Sequence, residues 1–198
     1  MLSEYFAYVV DSEIKAIRVP RGAIHGGKRF GNSSPDSTYI ASGLIPITGT
    51  KPAYDTYSQR LTGPTYTYVS ETPEVTCDWT VEYIPLAELK QNKNDEVNNA
   101  FVGVITIMKE WYTDDEIKSW DKQESEARAY VLDTGASVPL LTAMAAAGAT
   151  TVSALVTRVI IKADLWATNY GAELGKKQGL EDAVLVAATP NDVKVISW

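Results

Sequence analysis

Asp133 offers the most chemistry in this 198-residue chain. It follows the apolar pair Val131-Leu132 and opens the run Asp133-Thr134-Gly135-Ala136-Ser137. Two such aspartates facing each other across a dimer would share one proton, because like charges at close range cannot both ionise, and the pair would activate a water between them. Other candidates are thinner. His25 is the only histidine and Cys77 the only cysteine, and they stand far apart with no supporting motif, so a nucleophile-histidine pair has nothing to be built on. Gly26-Gly27-Lys28-Arg29-Phe30-Gly31 lacks the spacing and the Lys-Ser/Thr ending of a phosphate loop. Asp114, Asp115 and Glu116 form an acidic run, which a first helical turn explains without a metal.

The elements around Asp133 decide what it can do. The string resembles the active-site signature of retroviral-type aspartic peptidases, in which the aspartate follows a buried strand and further strands come after it. Here Lys122 to Leu132 has helical composition, and Ser137 with Pro139 opens another helix. Asp133 is therefore expected in a turn between helices, where Asp, Gly and Ser serve the backbone. A retropepsin-like peptidase at Asp133-Thr134-Gly135 is kept as an alternative reading only.

Along the chain the pattern changes once. Tyr5 to Val10 and Glu13 to Val19, either side of Asp11-Ser12, read as a strand hairpin. From Pro20 to Tyr54, glycines and prolines alternate with isolated apolar pairs, which predicts a long irregular loop ordered against a partner. Tyr39, Leu44, Ile45, Tyr54 and Tyr57 are its candidate interface residues, since tyrosine buries area at low entropic cost. Thr65 to Val69 and Val75 to Ile84 read as an antiparallel pair, and Pro85 ends the β region.

After Pro85 the apolar period becomes helical. Leu86, Leu89, Lys93, Val97, Ala100, Phe101, Val104, Ile105 and Met108 share one face of a helix ending near Glu110. Thr113 with Glu116 forms a capping box for a helix carrying Ile117 and Trp120, continued by Asp121 to Leu132. Pro139 to Ala147 is a further helix stopped by Gly148, and Thr150 or Thr151 starts a last one of about 35 residues, on the order of 50 Å long. Gly171, Gly175 and Gly179 recur every fourth residue along it. Each costs roughly 1 kcal/mol relative to Ala, so the reading is either close approach of another backbone or a break near Gly171. The tail from Val193 alternates and ends in Trp198, expected to pack on a neighbour. The fold class is therefore α+β: a β-rich docking part over 1–85, with the long loop at about 20–54, then an all-helical part over 86–198.

Composition narrows the partners. A formal net charge of -7 with no cationic stripe argues against nucleic acid. Arg18, Arg21, Lys28 and Arg29 are the nearest approach to one, and read as a solvated loop. One cysteine allows no intrachain disulfide and fits a reducing compartment. The first ten residues carry Glu4 and only a short apolar run, so neither a signal peptide nor a membrane span is expected.

Lys51-Pro52-Ala53-Tyr54-Asp55, Ser58-Gln59-Arg60-Leu61, Gly63-Pro64, Trp79-Thr80-Val81 and Leu86-Ala87-Glu88-Leu89-Lys90 occur in that order, and the order resembles a recurring arrangement in tail proteins of bacteriophages. Tyr112-Thr113, Trp120, Gln123-Glu124, Glu126-Ala127, Pro139-Leu140-Leu141, Lys162-Ala163 and Gly175-Lys176-Lys177-Gln178-Gly179-Leu180-Glu181 resemble a helical domain of uncharacterised function common in such proteins. The resemblance spans about residues 44–188; the first 43 residues, and Gly148-Ala149, depart from it. It implies a structural component of the virion tail, tail fibre or baseplate, assembled in the host cytoplasm, or else a tail-fibre assembly chaperone. Partners would be other tail proteins and further copies of the chain, with no catalytic residue, cofactor, metal, nucleic acid or membrane. Gly171, Gly175, Gly179 and Trp198 complete the candidate interface residues.

Overall fold

The structure is a computed structural model that describes residues 3–25 and 27–198. It is α+β, with a sheet in the N-terminal part and helices, including a long one near the end, in the C-terminal part. The chain divides into two compact units, Met1–Pro85 and Leu86–Trp198.

In the first unit β1 (Tyr5–Val10) and β2 (Glu13–Pro20) pair antiparallel. They turn at Asp11 and Ser12, both at positive φ, the primed turn whose twist matches a hairpin. A two-residue pair of strands follows, β3 (Ile24–His25) with β4 (Lys28–Arg29), then a short helix α1 (Asp36–Ile40). Strand β5 (Leu44–Thr48) comes next, and β6 (Gln59–Val69) and β7 (Glu74–Tyr83) close the unit. The sheet order is β2-β1-β5-β7-β6, with β5 antiparallel to β1 and parallel to β7.

The segment expected as a partner-docking loop therefore supplies the central strand of the sheet. Leu44-Ile45-Pro46-Ile47 is too short a run to show a period, yet it sits between two strands and is buried on both faces. Alternation along β1 and β5 sends Phe6 and Leu44 to one face, packed with Phe30 and Tyr39, and Ala7, Val9 and Ile45 to the other, packed with Val75. Strand β6 also begins earlier than expected, at Gln59. Gly63-Pro64 lies within it at a shift of register on an edge strand, where a residue without a backbone donor is tolerated. Gly49 is required where it is: its φ is +113°, and an added Cβ would lie 2.4 Å from the Cys77 carbonyl oxygen.

The second unit consists of α2 (Leu86–Lys109), α3 (Asp114–Leu132), α4 (Pro139–Ala147), α5 (Val152–Val186) and α6 (Pro190–Lys194). The Thr113-Glu116 capping box is formed, and Thr151 caps α5 through the Ala154 N–H. Both α2 and α3 pack along α5. Helix α5 runs unbroken through Gly171, so the expected alternative of a break there is not realised. The alternating tail begins inside α6, which Thr189 and Asp192 cap, so Val193 and Lys194 are helical while residues 196–198 have no regular structure.

Candidate functional site

Asp133 is the C-cap of α3, donating its N–H to the Ala129 carbonyl at 2.9 Å. Its Oδ1 accepts the Gly135 N–H at 2.8 Å, closing an exposed turn before α4. No strand leads into it, so the platform that two catalytic aspartates need is not built. The carboxylate serves as a turn acceptor. Among the described residues no group of three His, Cys, Asp or Glu side chains is placed to hold a metal ion. His25 is in the first unit, edge-on to the Tyr8 ring.

The second unit holds a cavity of about 590 Å³, between the end of α2, α3, α4 and α5. Tyr112, Trp120 and Trp166 line it and open an aromatic series that runs on beyond it. Tyr112 meets Trp120 at 5.0 Å between ring centroids, Trp120 meets Trp166 at 5.2 Å, and Trp166 stacks on Tyr170 at 5.6 Å. The series continues through Phe101 to Trp198, at 5.9 and 6.3 Å. Edge-to-face and offset geometry of this kind adds roughly 0.5–1.5 kcal/mol per pair beyond area. Lys109 lies over the Trp166 ring and Lys162 over the Tyr112 ring.

The rim carries Glu116, Asp121 and Glu124. The Thr113 N–H and then its hydroxyl, at 2.8 and 2.9 Å, hold Glu116 below the ordinary glutamate range. Ser119 Oγ donates to the Glu116 carbonyl and accepts from Gln123, so no base activates it. The cavity thus combines Tyr112, Trp120 and Trp166 with the carboxylates of Glu116, Asp121 and Glu124 and the Lys162 ammonium.

No protein-family profile, no curated protein and no solved structure matches this chain.

The residues expected at an interface are divided by the structure. Tyr39, Leu44 and Ile45 are buried in the core of the first unit. Tyr39 stacks on Phe6 at 4.4 Å, and its hydroxyl accepts the Gly22 N–H and donates to the Gly31 carbonyl. They are core rather than contact residues: Leu44 and Ile45 lie in the central strand β5 and Tyr39 in α1 just before it. Tyr54 and Tyr57 are half-buried, with Lys51 over the Tyr54 ring. Trp198 packs on Phe101 and under Lys176 of its own chain. Among the described residues, Gly171, Gly175 and Gly179 have no neighbour from another element within 4 Å of an added Cβ.

Arg21, expected in a solvated loop, lies over the Phe6 and Tyr39 rings and pairs with Asp36. Its neighbour Pro20 and the following Gly22 gave no periodic signal from which burial follows. The cavity residues Trp120 and Trp166 stand on predicted helices, but their meeting depends on how α3 lies against α5. Among the described residues no single helix is long and apolar enough to cross a membrane; the α4–α5 pair passes on length and composition, bent by 109°.

Proposed function

We propose that this chain is a structural component of a tailed-bacteriophage tail, acting through protein contacts and self-association. The observation that carries the reading is apolar surface left uncovered on the helices. Ile161, Leu165, Leu185 and Val186 on α5, and Val102 and Ile107 on α2, are all more than half exposed.

Exposed apolar side chains grouped along helices mark a binding face. The order of motifs between residues 44 and 188, which resembles phage tail proteins, supports a virion as the place where that face is covered. Mass spectrometry of purified phage particles tests this directly: the chain is expected in the particle at stoichiometric level, and its absence overturns the assignment.

A tail-fibre assembly chaperone is the second reading, favoured by the open aromatic cavity, which suits transient capture of a client side chain. Co-expression separates the two. A chaperone raises the soluble yield of a fibre protein and is missing from the finished particle.

A further inference from the structure

We propose that α5 forms the two-fold interface of a homodimer, in which the helices of two copies pack antiparallel with the axis midway between Thr168 and Ala172. This deepens the contact reading above and rests on it. Starting from Ala154, steps of four and three residues reach Arg158, Ile161, Leu165, Thr168, Ala172, Gly175, Gly179, Asp182 and Val186. All ten positions are exposed, so α5 carries an uncovered seam with the spacing of a two-helix coil along about 48 Å.

The seam is self-complementary in one direction only. In the antiparallel arrangement Ile161 of one copy meets Gly179 of the other, Leu165 meets Gly175, and Thr168 meets Ala172. Each bulky side chain faces a position without one, which lets the helix axes close to the short end of the usual 8–10 Å. At the ends Arg158 meets Asp182, and Ala154 meets Val186. Among the described residues neither Arg158 nor Asp182 has an ion-pair partner within its own chain.

A parallel, in-register pair would set Arg158 against Arg158 and Asp182 against Asp182, with glycine opposite glycine over a void. The lysines beside the seam, Lys162 and Lys176, are drawn back over Tyr112 and Trp198 of their own chain, which takes their charge off the seam. Gly175 and Gly179 have open space around an added Cβ. Inside one chain they only weaken the helix, and across a dimer they become the sockets.

Sedimentation equilibrium of the full-length chain tests the pairing. A dimer is expected, with Arg158→Asp and Asp182→Arg each weakening it at least tenfold and the two together restoring it to within threefold of the original. Gly175→Leu, which favours the helix and meets no neighbour inside the chain, is expected to abolish the dimer with unchanged helical circular dichroism. A chain that stays monomeric at 0.1 mM (roughly the weak end of specific association), a dimer indifferent to Gly175→Leu, or a charge swap that fails to rescue each overturns the proposal. A dimer with the expected swap behaviour in a chain absent from phage particles would remove the tail assignment and leave this pairing standing.

Discussion

The Oε2 atom of Glu126, on α3, accepts the Leu141 N–H at 3.0 Å and so caps α4 from a neighbouring helix. Helix α4 has no side-chain cap of its own, because its N-cap residue is Val138. Glu126 is almost fully buried, and its Oε1 meets Lys122 Nζ at 3.2 Å without forming a hydrogen bond. A buried carboxylate is kept here because it completes the orphan donors of a helix start.

Replacing Glu126 by Ala leaves the Leu141 N–H buried and unpaired, which costs about 1–3 kcal/mol. Glu126→Gln keeps an acceptor and is expected to lose less. Chemical unfolding followed by circular dichroism orders the three proteins as wild type, Gln, Ala; an equal loss in both variants would assign the effect to packing.

Asp36 gives the first unit a dependence on acid. Burial pushes its carboxyl up, but hydrogen bonds from Ser3, at 2.8 Å from the hydroxyl, and from Arg21 outweigh it and hold the group below the ordinary value of 3.8. A depressed carboxyl stabilises the fold fully above its unfolded value and loses that contribution as pH falls through the folded one. Unfolding midpoints should therefore drop below about pH 4, and Asp36→Asn should flatten that drop while lowering stability at pH 7.

Trp166 touches Trp120, Tyr170 and the Lys109 ammonium, whereas Trp111 is 86% exposed. Trp166→Ala is expected to destabilise the helical unit by about 2–3 kcal/mol, below the range for a fully buried tryptophan. Trp111→Ala should stay within about 0.5 kcal/mol. Thermal melts of the two variants check the contrast.

Asp133→Asn retains an oxygen for the Gly135 N–H, so stability should stay within about 0.5 kcal/mol of wild type, while Asp133→Ala loses the turn acceptor and about 1 kcal/mol. Incubating the purified chain and its partners at acidic and neutral pH gives the complementary readout: cleavage that Asp133→Asn abolishes would revive the peptidase reading.

Gly171→Ala places a methyl group in open space within a helix interior. A gain of about 0.5–1 kcal/mol is expected from helix propensity, read as a raised unfolding midpoint. A loss would show that a neighbouring molecule closes on that position.

Local chemistry was legible wherever the signal is carried by neighbours in sequence. The Asp11-Ser12 turn, the switch to helix after Pro85, the Thr113-Glu116 cap and the placement of Asp133 between helices are all decided by residues within a turn or two of each other. Short-range hydrogen bonds and the 3.6-residue period act on any conformation the rest of the chain adopts.

What only tertiary structure decided are the meetings across long separations. The insertion of Leu44–Thr48 between β1 and β7 turned Tyr39, Leu44 and Ile45 from contact candidates into core. The reach of Glu126 to Leu141, the assembly of Trp120 with Trp166, and the open face around Gly175 likewise follow from which helix lies against α5 and on which side. A five-residue apolar run or a lone tryptophan fits several burial environments equally well. The one adopted is chosen by packing against partners that sequence periodicity does not name.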